Sequence, residues 1–108
     1  MELHSITAEL REAATRLRNS SNELFHLAKE RAEAEKDYRI ALARKIVMLK
    51  DSGQSVTLIG DIARGECADE KFARDLAEAR YQSGRELLQS LQTQVSALQT
   101  ILKYQEEA

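Results

Sequence analysis

Apolar residues recur through the first half of the chain at steps that alternate between three and four. Leu3, Leu10, Leu17 and Leu24 stand seven apart, and Ile6, Ala13, Ser20 and Leu27 each follow by three. This is the a/d spacing of a coiled-coil seam, and it predicts one long helix from about Leu3 to Lys50, free of Pro and Gly, whose stripe needs a second helix to cover it. Beyond Leu27 the strict heptad drifts to a step of eleven: Leu27, Tyr38 and Leu49 carry the stripe, with Leu42 and Ile46 between the last two. Such a step relaxes a left-handed supercoil. The stretch Arg31 to Tyr38 offers only Ala32 and Ala34 as small apolar residues, so the helix there packs closely or faces solvent.

Ser52-Gly53 ends this arm, with Lys50 in its last turn, as expected of a glycine after a helix and a cation near its negative end. After the connector Gln54 to Thr57, Leu58, Ile59 and Ile62 share one side at helical spacing. Residues 57 to 64 read as a short helix capped by Ser55 or Thr57 and stopped by Gly65. A second arm follows from about Asp69 to Glu106, with a stripe of Phe72, Leu76, Ala79, Leu88, Leu91, Val95, Leu98 and Leu102 that Leu87 and Ile101 widen. The predicted fold is all-α: a long, coiled-coil-like antiparallel helical hairpin forming a single domain, with arm 3–51, tip 52–68 and arm 69–106.

Folding back about that tip would set Leu49 near Phe72, Leu42 near Leu76, Leu24 near Val95, and Leu17 near Ile101 or Leu102. At 1.5 Å per residue the first arm would be on the order of 70 Å long. A first arm longer than the second leaves Leu3 to Leu10 partly uncovered, and two helices cannot bury a widened stripe from each other alone. Self-association is therefore expected, as a homodimer forming a four-helix bundle.

Composition agrees. In 108 residues, 43% hydrophobic and 31% charged, the common types are those that lose little freedom in a helix. Sixteen basic and 18 acidic residues leave a formal charge of −2, which offers no overall attraction to nucleic acid or an anionic membrane. Cys67 is the lone cysteine, so neither a disulfide nor a CxxC redox pair can form within the chain, which fits a reducing cytoplasm. The start, M-E-L-H-S-I, lacks the basic region of a signal peptide, and no apolar run approaches the roughly 18 residues of a membrane span.

Only Thr57 to Gly65, T-L-I-G-D-I-A-R-G, goes beyond what a long helix requires. Two readings stand side by side. Leu58, Ile59 and Ile62 can plug the end of the hairpin, with Gly60 permitting a close approach and an Asp61–Arg64 ion pair orienting the turn. The same knob can carry Leu58, Asp61 and Arg64 outward as a contact surface for another protein.

Together with A-E-A-E-K-D-Y before it and F-A-R-D-L-A-E-A-R-Y after it, this centre resembles small uncharacterised proteins of phages and prophages of Gram-positive bacteria. The likeness covers about Glu33 to Tyr81, and Tyr38, Thr57, Asp61, Arg64, Gly65, Arg74, Glu78 and Tyr81 occupy its pattern. It implies a phage context near early or recombination functions, with no defined activity.

Catalysis needs groups held together in a desolvated pocket, and a thin hairpin offers none for His4, His26 or Cys67. His26 and Glu30 share a helix face, but the Glu-x-x-His pairs of a bundle metal site are missing. Nucleic-acid binding is the alternative, because residues 53 to 65 resemble the turn and second helix of a helix-turn-helix, with Arg39, Arg44, Lys45 and Lys50 before it. Against it, Arg64 is the single base-reading candidate, Asp61 repels phosphate, and the preceding helix is too long for such a motif. The expected function is thus a cofactor-free phage accessory or inhibitor that docks on a host or phage protein machine, in recombination, replication or anti-defence.

Overall fold

A computed structural model describes residues 2–107, and among them every regular element is helical: α1 (Leu3–Asp51), α2 (Val56–Glu66) and α3 (Ala68–Glu107). None of these helices is long and apolar enough to cross a membrane. The chain divides into two units, one of Met1–His26 with Gln82–Ala108 and one of Leu27–Tyr81.

In the second unit, α1 ends where the pattern places it. Gly53 takes a left-handed φ of 79°, which lets its N–H bond the carbonyl of Lys50 and the N–H of Gln54 reach that of Leu49. Both belong to a Schellman closure, which uses carbonyls a helix end leaves unpaired. The Ser52 hydroxyl adds a third bond to the Leu49 carbonyl at 2.8 Å. α2 then starts at Val56 behind an N-terminal Ser55 whose side chain makes no capping bond, since its hydroxyl meets that of Thr57 at 3.0 Å.

Gly65 does not stop α2. Its φ is not positive, and the Cys67 N–H still bonds the Ala63 carbonyl while Lys71 N–H bonds that of Cys67, so i to i−4 bonding runs through the one-residue junction into α3. The expected tip of residues 52–68 is therefore a short turn, and α2 is the first part of the returning arm. Lys45–Glu66, Glu35–Arg74, Arg31–Glu78 and Glu30–Arg80 form ion pairs that all straddle Ser55, so this unit is paired antiparallel as in a helical hairpin.

That shift of the fold-back point corrects the expected register. Pairs such as Leu49–Phe72 and Leu42–Leu76 straddle Gly60 and do not form the seam; Phe72, Leu76 and Ala79 are exposed. The returning arm instead buries Ile59, Ala63, Cys67 and Ala77, with Glu70, Arg74 and Tyr81 half-buried between and after them. On α1, Leu27 and Tyr38 are buried as expected and Leu42, Ile46 and Leu49 half-buried, but Ala34 and Lys45 are half-buried too. The heptad therefore continues through Arg31 and Ala34 rather than lapsing over them.

In the first unit the stripes meet expectation more closely. Ile6 and Ala13 are buried on α1 with Leu10, Leu17, Ser20 and Leu24 half-buried, and α3 contributes buried Leu91 and Leu98 beside half-buried Leu88, Val95 and Leu102. Leu87 and Ile101 remain exposed and do not widen the buried stripe. Ala13 and Arg16 line one groove with Gln94, again placed about the same fold-back point and not the register that would set Leu24 by Val95. Ile6, the largest fully buried side chain, and half-buried Leu10 are better covered than an overhang from Leu3 to Leu10 would leave them, while Leu3 stays 48% exposed.

Truncating Leu91 or Leu98 to Ala should lower unfolding free energy by about 2–5 kcal/mol, whereas Phe72→Ala or Leu76→Ala should change it by about 0.5 kcal/mol or less in dilute protein. Urea titrations followed by circular dichroism distinguish this register from the one centred on Gly60.

Candidate functional site

α2 is two-faced. Ile59 and Ala63, four apart, are buried, and Ile62 is half-buried beside them. The seal thus comes from Ile59, Ile62 and Ala63; Leu58 is 50% exposed and takes no part in a plug. Asp61 and Arg64 stand outward as well, joined by a 2.7 Å hydrogen-bonded ion pair with side chains 80% and 56% exposed. Gly60 shapes this pair. A Cβ there would come within 3.3 Å of an Arg64 Nη, so the missing side chain gives the guanidinium room to fold back along the helix. Leu58, Asp61 and Arg64 are therefore all on the outside of one short helix, beside the reversal of the chain.

A second constellation lies along the seam. Arg74 sits over the buried Tyr38 ring at 4.5 Å from its centroid, and Arg31 over the Tyr81 ring at 4.7 Å. Arg74 also pairs with Glu35 at 3.7 Å, and Arg31 pairs with Glu78. The two halves repeat one pattern: Arg31, Ala34, Glu35 and Tyr38 on α1 match Arg74, Ala77, Glu78 and Tyr81 on α3, so each helix sends an Arg to the other's Tyr and Glu. The small Ala34 and Ala77 between these layers leave room for the flat stacks. Sequence reasoning singled out Tyr38, Arg74, Glu78 and Tyr81 but missed Arg31, Glu35 and the clasp; the repeated R-x-x-A-E-x-x-Y was the signal that carried it.

An open groove of about 590 Å³ runs beside the clasp, lined by Ala28, Ala32, Arg31, Glu35, Arg74, Asp75 and Glu78. Its charges are engaged with one another. Lys71 donates to Asp75 at 3.0 Å and Arg74 does so through two nitrogens, and these bonds, Lys71 foremost, hold the Asp75 carboxyl below its ordinary range. The Asp75 hydrogen bond in turn raises Arg74. Among the described residues no group of three or more His, Cys, Asp and Glu is placed to hold a metal; Glu30 meets Arg80 at 2.9 Å, and Cys67 is a buried thiol. No family model, curated protein or solved structure matches this chain.

Two measurements probe the clasp. Arg74→Lys keeps the charge but loses the planar stack on Tyr38, and it should lower the urea midpoint while Arg39→Lys leaves it nearly unchanged. Because the folded pKa of Asp75 is lowered, its stabilisation is present above the ordinary value of 3.8 and is lost as pH falls through the lower folded value. Asp75→Asn should flatten that acid limb of the stability profile.

Proposed function

We propose that this chain is a non-enzymatic protein-interaction module of the phage type, an accessory or inhibitor that docks on a host or phage protein machine in the bacterial cytoplasm through Leu58, Asp61 and Arg64. One observation carries the reading: α2 seals Ile59 and Ala63 into its unit while turning an apolar side chain and a hydrogen-bonded ion pair outward. A charge pair already held in place needs little ordering on contact and rejects partners of the wrong polarity. The phage context rests on the T-L-I-G-D-I-A-R-G resemblance, and it leaves recombination, replication and anti-defence machines as the candidate partners.

The docking proposed here calls for no cofactor. The nucleic-acid alternative loses support from the same geometry. α2 runs back beside α1, with Glu66 at Lys45, instead of crossing it as a recognition helix would, and Asp61 occupies the one Arg suited to a base edge. Self-association, expected from the sequence as a homodimeric four-helix bundle, belongs to this reading only in the broader sense that apolar side chains remain outside the seam on both arms and need a partner surface.

The test is an affinity capture from bacterial lysate, with and without nuclease, using the native chain and an Asp61→Ala, Arg64→Ala variant. The expected result is a nuclease-resistant protein that the variant loses, with the variant's melting temperature within a few degrees of native. Capture that vanishes with nuclease points to the alternative, and a protein retained equally by the variant removes the tip from the interaction.

A further inference from the structure

The unit Leu27–Tyr81 leaves two apolar faces that its own seam does not cover. On α1, Ile40, Ala43, Val47 and Lys50 are exposed at steps of three, four and three. At about 100° per residue, Ile40 and Val47 lie roughly half a turn round from buried Tyr38, on the side of α1 that points away from the returning arm. On α3, Asp69, Phe72, Leu76 and Ala79 are exposed at the same steps of three, four and three, and Phe72 is 69% exposed. Neither Lys50 nor Asp69 makes an ion pair among the described residues.

Laid antiparallel, the two faces match in spacing, size and charge. Lys50 meets Asp69, Val47 meets Phe72, Ala43 meets Leu76 and Ile40 meets Ala79, so a large residue faces an alanine in two of the three apolar layers. We propose that the α1 face of one copy of this chain docks antiparallel on the α3 face of the next, with Lys50 beside Asp69. The contact is heterologous. The α1 face points directly away from α3, so one neighbour cannot cover both faces without straddling the unit, and a closed two-fold bundle does not satisfy them. Each copy instead offers one free face after every addition, and assembly grows with concentration. The matched stretch is about 15 Å long, short enough for a weak, reversible contact.

Sedimentation velocity on the full chain over a concentration series tests this, with circular dichroism confirming that each variant stays helical. The native chain should pass beyond twice the chain mass. Lys50→Asp and Asp69→Lys should each weaken association by about tenfold or more, and the double reversal should restore it. Val47→Asp and Leu76→Asp should each abolish growth alone, while their equimolar mixture should stop at a dimer, because each then supplies the face the other lacks. A native chain that stays monomeric at every concentration, a closed dimer indifferent to the charge reversals, or single Val47→Asp protein that still grows would each overturn the proposal; the first would leave these faces to another protein's helix.

Discussion

The reversal of the chain at Gly53 constrains everything that follows it in the second unit. With the Leu49 and Lys50 carbonyls taken by Gln54 and Gly53, α1 closes, and α2 begins at Val56 with Leu58 and Ile59 N–H groups bonding the Ser55 carbonyl. α2 must run straight back along α1. Ser55 becomes the fold-back point, Glu66 arrives at Lys45, and Ile59, Ala63 and Cys67 turn inward. A turn centred on Gly60 would have buried Phe72 and Leu76; this one puts them outside.

Along the returning arm the seam is unusually polar for a helix pair. Arg74 over Tyr38 and Arg31 over Tyr81 replace apolar layers, with Ala34 and Ala77 between them. Partly exposed ion pairs add little stability one by one. Their value here is positional: sliding one helix by a heptad would separate each Arg from both its Tyr and its Glu, so the clasp specifies the register that the modest apolar content leaves underdetermined. The register in turn decides which residues of α2 and α3 are left facing outward.

Two kinds of outward surface result. α2 presents Leu58 next to a hydrogen-bonded Asp61–Arg64 pair, small and chemically specific. The α1 and α3 faces around Val47 and Phe72 are apolar stripes with single unpaired charges at their ends, a pattern that fits helices better than ligands. Both follow from one cause, since a two-helix seam consumes only one stripe per helix and these arms carry more apolar residues than one stripe can hold.

Local rules were enough to read the helices themselves from the sequence. The absence of proline, the three-and-four spacing from Ile6 to Leu27 and from Leu88 to Leu102, and the glycine at 53 each act within a few residues, and the structure has all of them. The outward Asp61–Arg64 pair was legible for the same reason, being three apart on one helix. Register was not. Phe72, Leu76 and Ala79 form a genuine helical stripe, and spacing alone cannot say which of two stripes faces a partner. That choice depends on where the chain turns and on contacts between residues more than forty positions apart, Arg31 with Tyr81 and Glu78. Sequence by itself therefore determined the elements and their apolar faces, while the tertiary structure decided which face is core and which is surface, because only packing makes two equivalent stripes unequal.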